Sequence, residues 1–206
     1  MQLIPRRFIL GLFLLLSLQT MLHAQLRELG DGTPGAVKAP HLTAELISDA
    51  NTIAPGSEGR VALSLTMEQG WHVYWVNAGD AGEPPRVQWM PVEGLAIGPM
   101  QFPVPSRLPV GPMMDYGYEG VAIFPYNVKT SAALASAKIR VAAHVQWLVC
   151  REVCLPGKAF LGVDLPVTPG ASGGTKRVID EAVHAEPTEI PAAVKIEVTG
   201  IRRIGA

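Results

Sequence analysis

Residues 138–147 alternate without a break: Ile139, Val141, Ala143, Val145 and Trp147 fall on one side, and Arg140, Ala142, His144 and Gln146 on the other. A period of two is the period of the β-pleat, so this stretch is expected to form a strand with one face in a core. Residues 42–47 (LTAELI) and 60–66 (RVALSLT) alternate in the same way, and residues 71–76 (WHVYWV) are aromatic and β-prone. Residues 86–89, 121–128 and 160–167 complete about seven short runs with frequent Gly and Pro between them. Pro103, Pro105, Pro109 and Pro112 read as one long irregular connection, because proline removes a ladder donor from a central strand. No strong helical pattern precedes residue 175. The expected fold class is all-β: an immunoglobulin-like antiparallel β-sandwich, with a closed barrel as the second choice. The widely spaced Cys…Trp…Cys signature of antibody domains is missing.

The flanks differ from this middle. Residues 1–24 carry Arg6 and Arg7, then an apolar stretch, then Leu22-His23-Ala24, which is the layout of a secretory signal peptide. The apolar run is short for a bilayer span, which takes about 20 residues. Residues 25–39 are polar and contain Gly-Asp-Gly-Thr-Pro-Gly, so they are expected to be a disordered lead-in to a domain over 40–168. Residues 169–206 read as a flexible linker and tail, with a short helix expected over 176–185 and a β-like run over 194–198. This tail is also compatible with the start of a further domain. The formal net charge is −1 and no basic stripe stands out, which argues against nucleic acid as a partner.

The chain has only two cysteines, Cys150 and Cys154, three residues apart in VCREVCLPG. Outside the cytoplasm such a pair can hold a disulfide. As a staple it is poor: closing so short a loop is worth about 2 kcal/mol, against about 4–5 for a loop near a hundred residues. A metal site is a second reading. Two thiolates suit zinc or Cu(I), but a structural zinc takes four ligands, and only His72, His144 and the soft sulfurs of Met113 and Met114 offer help. Thiol–disulfide exchange is the third reading. It needs an accessible sulfur and a nearby resolving cysteine, and the spacing supplies the second. Arg151 favours a thiolate here and Glu152 opposes it. The four tryptophans, Trp71, Trp75, Trp89 and Trp147, are expected to pack the core rather than bind a ligand, and Asp80 and Glu83 to serve the turn in their Gly/Pro loop.

Four stretches occur in order: GWHVYWVNAGDAGEPPRVQW (70–89), FPVPSRL (102–108), DYGYEG (115–120) and VQWLVCREVCLPG (145–157). Together they resemble the N-terminal periplasmic domain of the DsbD family of thiol:disulfide interchange proteins, and more closely its ScsB-like branch. The resemblance covers roughly residues 40–167. It implies a periplasmic, immunoglobulin-like domain whose Cys150 and Cys154 form a redox-active disulfide, with no other cofactor and no metal. It also implies a role as a component of a protein-disulfide reductase. The expected electron donor is a thioredoxin-like domain or protein, fed by a membrane electron-transfer domain on the same or another chain. The expected acceptors are periplasmic thiol–disulfide proteins, including those of cytochrome c maturation. A cap loop of Asp115, Tyr116, Tyr118 and Glu119 is expected to shield the pair, and Cys154 to meet the partner. Two departures stand out: the best-studied members space their cysteines more widely, and Met114 and Asp115 stand where a phenylalanine is found beside Tyr116. The bland alternative is a non-catalytic sandwich that binds a partner or copper and carries a local structural disulfide.

Overall fold

The alternation in residues 138–147 becomes β10 (Lys138–Cys150), the long strand that organises one of two sheets in the computed structural model. The structure describes residues 28–168 and 176–185. The expected signal segment 1–24 and the run 194–198 lie outside them.

Five strands form the first sheet, in the order β1-β2-β3-β9-β6. They are β1 (Val37–Ala39), β2 (Leu42–Ser48), β3 (Glu58–Met67), β6 (Leu95–Ile97) and β9 (Val121–Thr130). The second sheet runs β11-β10-β4-β8-β7, with β5 also paired to β10. Its members are β4 (His72–Gly79), β5 (Arg86–Trp89), β7 (Ser106–Val110), β8 (Met113–Glu119), β10 and β11 (Cys154–Pro166). Every pairing between named strands is antiparallel. The molecule is therefore mostly β-sheet, consistent with the expected sandwich.

One hydrophobic core joins the two sheets. Leu63 and Leu65 of β3 and Phe124 of β9 meet Val73 of β4 and Val141, Val145 and Trp147 of β10. Phe124 is fully buried, with Phe102 and Tyr118 packed edge-on at 5.5 and 5.3 Å. Burial of such a ring contributes about 1.5–3 kcal/mol. Trp71 and Trp147 are buried, and Trp75 and Trp89 pack against the same cluster, as their pattern predicts. Trp147 also explains Gly157, its cross-strand partner: a Cβ on Gly157 would lie 2.5 Å from the indole, so only glycine lets the ring lie there.

Three expectations need correction. Residues 28–39 are not a disordered lead-in. Leu29 and Pro34 bridge in parallel to Ala159 and Gly162 of β11, and residues 37–39 form β1. A Cβ on Gly162 would fall 2.0 Å from the Gly32 carbonyl oxygen, so two glycines allow this close approach. The proline-rich connection contains β7, which includes Pro109. β7 is the edge strand of its sheet, where a missing N–H breaks no second ladder. Residues 115–119, expected as a loop, lie on β8 between β4 and β7.

The expected helix is present as α1 (Lys176–His184). Ile179 and Ala182 pack on Ala62 and Ile123, residues whose neighbours along β3 and β9 face the main core. An Arg60–Asp180 ion pair at 2.5 Å ties the helix to β3. α1 therefore covers the outer face of the first sheet.

Candidate functional site

The two cysteines end a ladder. β10 and β11 pair from Lys138↔Pro166 through thirteen positions to Cys150↔Cys154, leaving Arg151, Glu152 and Val153 as the hairpin loop. A three-residue loop between directly paired cysteines requires the spacing seen in the sequence. The register brings the two sulfurs together and they are bonded. Exposure divides them: Cys150 is 2% exposed, whereas Cys154 lies in an exposed run that includes all three loop residues.

Strand parity says which face carries the bond. Val149 points into the core, so its neighbour Cys150 points out of the second sheet. On β4, Val73 points into the core, so His72 and Tyr74 point out as well. β4 meets β10 at one residue pair, Cys150↔His72, and His72 in turn pairs with Glu119 of β8. The row across the sheet is thus Cys154, Cys150, His72, Glu119. Tyr74 completes the cluster. Its hydroxyl lies 3.7 Å from Cys154 Sγ and 3.3 Å from His72 Nε2.

His72 and Tyr74 are 5% and 2% exposed although they point away from the core. The loop after β4 covers Tyr74. Gly82, at φ +82°, lies on the Tyr74 ring: a Cβ there would come within 2.2 Å of Cζ. The loop is fastened to β8. The Ala81 N–H donates to the buried Asp115 carboxylate at 2.9 Å, and the Met114 N–H donates to Asp80 at 2.8 Å. Asp80 thus performs the turn chemistry its Gly/Pro setting predicts, and Glu83 pairs with Arg86.

The residues expected to cap the disulfide are placed differently. Tyr118 is a core residue: it packs on Phe124, its hydroxyl donates to the Pro103 carbonyl at 2.7 Å, and strand parity puts it on the face opposite the disulfide. Asp115 fastens the loop over Tyr74 rather than covering the sulfurs itself. Tyr116 is half-buried on β8, and Glu119 is exposed beside His72. The sequence reading missed Tyr74 and Gly82, and gave His72 only a role as metal helper. The alternation in WHVYW carried a signal, since it separates His72 and Tyr74 from Trp71, Val73 and Trp75.

Among the described residues no group of three or more His, Cys, Asp and Glu side chains is placed to hold a metal ion. His144 is stacked on Phe160 and bonded to Glu28, remote along β10 from the cysteines.

Burial pushes His72 below its ordinary value of 6.5, against the opposing pull of Asp115 and Glu119. Burial, aided by Asp115, pushes the Tyr74 phenol up, so it stays protonated. The His72 shift has a stability consequence. Between its ordinary and its lowered value, the unfolded chain binds a proton that the folded chain refuses. The contribution of neutral His72 is therefore complete above the ordinary value and lost as pH falls through the lowered one. Urea midpoints measured from about pH 7 down to about pH 5 should decline in the native protein and less steeply in His72→Gln. Parallel slopes would remove His72 from the account.

The described residues thus form a mostly-β domain with a disulfide across a hairpin end, Cys154 exposed and Cys150 buried, and with Tyr74 and His72 buried beside the pair. The comparisons give its family. Residues 43–161, more than half of the chain, match the family described as thiol:disulfide interchange protein DsbD, N-terminal, and the chain belongs to that family. The fold is similar to that of the N-terminal periplasmic domain of ScsB from Proteus mirabilis, with 20% identity and a TM-score of 0.56. That match covers 74% of this chain and 58% of the ScsB chain, so this chain spans well under two thirds of it. The N-terminal domain of Neisseria meningitidis DsbD in the reduced form also matches, at 11% identity and a TM-score of 0.41, over 66% of this chain and 92% of that one. No curated protein matches the sequence.

Proposed function

We propose that the chain is a periplasmic thiol–disulfide interchange domain on an immunoglobulin-like sandwich, exported by residues 1–24, and that Cys150 and Cys154 relay reducing equivalents. The observation that carries this reading is the unequal exposure of the two cysteines at the end of a hairpin. A staple gains nothing from one open sulfur; an exchange site requires it.

The reaction balances as two thiolate displacements. A donor thiolate attacks Cys154 Sγ, the donor–Cys154 bond forms, and the Cys150–Cys154 bond breaks to release Cys150 as a thiolate. The donor's second thiolate then attacks the donor sulfur of the mixed disulfide and expels Cys154. Two electrons have passed to the pair, the donor is left as a disulfide, and two protons from solvent neutralise the dithiol. In the outward step the Cys154 thiolate attacks an acceptor disulfide. Cys150 then attacks Cys154, restoring the intramolecular bond and releasing the reduced acceptor.

The family relationship supports a thioredoxin-like donor fed by a membrane electron-transfer domain, and periplasmic thiol–disulfide proteins as acceptors. In place of a cap made by Asp115, Tyr116, Tyr118 and Glu119, the loop that Asp115 fastens over Tyr74 shields the side of the pair that faces Tyr74.

Treating the oxidised protein with a reduced thioredoxin-like protein tests this reading. The expected result is complete reduction of the Cys150–Cys154 bond, read by alkylation and mass, with an unchanged near-ultraviolet circular dichroism spectrum. Reduction only when the protein is unfolded would leave a structural bond and overturn the proposal.

A further inference from the structure

Two polar side chains are buried behind the exposed sulfur, and interchange as described above makes no use of either. Tyr74 has two polar partners, Cys154 Sγ at 3.7 Å and His72 Nε2 at 3.3 Å. The sulfur of a disulfide is a weak acceptor, so in the oxidised protein this string is loosely held. A thiolate is a strong one, and a hydrogen bond to it is about twice as strong as a neutral one. The string would then have one sense: Tyr74 O–H donates to the Cys154 thiolate, and His72 Nε2–H donates to the Tyr74 oxygen. That assigns the Nε2–H tautomer to neutral His72.

We propose that His72 and Tyr74 form a donor string that stabilises the Cys154 thiolate during interchange, Tyr74 touching the reacting sulfur and His72 acting as a positioning residue through Tyr74. The inference rests on the interchange reading above and assigns it two further residues. Its force comes from being differential. The string holds the thiolate more strongly than the disulfide, which is the condition for an interaction to accelerate a step rather than only tighten a ground state. Burial sharpens it, because both groups are almost fully buried, Tyr74 beneath Gly82, away from competing water. No proton leaves the string, so no acid or base beyond the thiol itself is required. The groups facing His72 are Tyr74 on its own strand, Cys150 from β10, and Asp115 and Glu119 from β8. The two carboxylates favour the protonated ring, burial opposes it, and burial has the larger effect.

The test uses Cys150→Ala protein, in which Cys154 is the single thiol. The rate of its alkylation by iodoacetamide is followed against pH, which reads the apparent thiol pKa. Adding Tyr74→Phe is expected to raise that pKa by about one unit, the size of one lost hydrogen bond to a charged group. The phenyl ring still fits beneath Gly82, so the fold is retained. His72→Leu is expected to shift the profile in the same direction, and His72→Gln, which keeps an N–H donor, to bring it back toward the parent. A profile unmoved by Tyr74→Phe, or equal shifts for His72→Leu and His72→Gln, overturns the proposal. The experiment needs no partner protein. A domain that fails to exchange with a donor yet shows these shifts retains the donor string and loses the interchange reading.

Discussion

Cys150→Ala protein, reduced and mixed with an oxidised thiol–disulfide acceptor, is expected to accumulate as a covalent adduct through Cys154. Cys154→Ala is expected to give none, and turnover should fall to background in both. The reason is the division of exposure: Cys154 stands in the exposed hairpin tip, whereas Cys150 is 2% exposed between Cys154 and His72. The open sulfur attacks, and with Cys150 gone nothing resolves the mixed disulfide. The alanine variants should remain folded, because the bond closes a loop whose loss costs only about 2 kcal/mol. Non-reducing electrophoresis and mass spectrometry read the adduct. An adduct formed by Cys154→Ala and not by Cys150→Ala would reverse the two roles.

Gly117→Ala is expected to be the most damaging single-methyl change near the site. A Cβ there would lie 2.1 Å from the Val73 carbonyl oxygen and 3.1 Å from Leu108 Cδ1. The first contact is backbone, so relief requires β8 to move off β4. Overpacking of this kind costs about 3 kcal/mol, which lowers the melting temperature of a chain this size by about 6–12 °C. Gly117 is the cross-strand partner of Tyr74, so the same displacement carries Tyr74 away from Cys154. Gly120, at the end of the same hairpin, is the control. It has φ +69° and open space around it, so alanine there costs only the backbone term of about 1–2 kcal/mol. Calorimetry on the two variants decides the matter; equal melting temperatures would show that β4 and β8 are not held so tightly.

The parts of the fold that the sequence made legible are those where parity alone decides the outcome. The alternation of Ile139, Val141, Ala143, Val145 and Trp147 continues to Val149 in the core, and that count places Cys150 on the outer face at a strand end. β5 matches residues 86–89 to the residue. β6 is too short to show a period, and β7 was hidden by Pro109, which an edge strand tolerates. β8 was hidden by glycine: Gly117 reads as loop chemistry, whereas here it permits close approach to β4. With β8 taken for a loop, Tyr118 had no parity and its place in the core could not be foreseen. The site divides in the same way. The cysteine pair is local, and its spacing is the spacing of a hairpin. His72 and Tyr74 enter through the one ladder pair of β4 with β10, a long-range pairing that no local pattern records.

The central claim is that the Cys150–Cys154 bond is made to be exchanged, and its reduction potential tests that most directly. The protein is equilibrated in graded dithiol–disulfide buffers, and the thiols are counted by alkylation and mass. An exchangeable bond is expected to give a value above about −300 mV, within reach of a thioredoxin-like donor near −270 mV. A value well below about −300 mV is that of a structural disulfide resistant to the surrounding thiol pool, and it would contradict the relay.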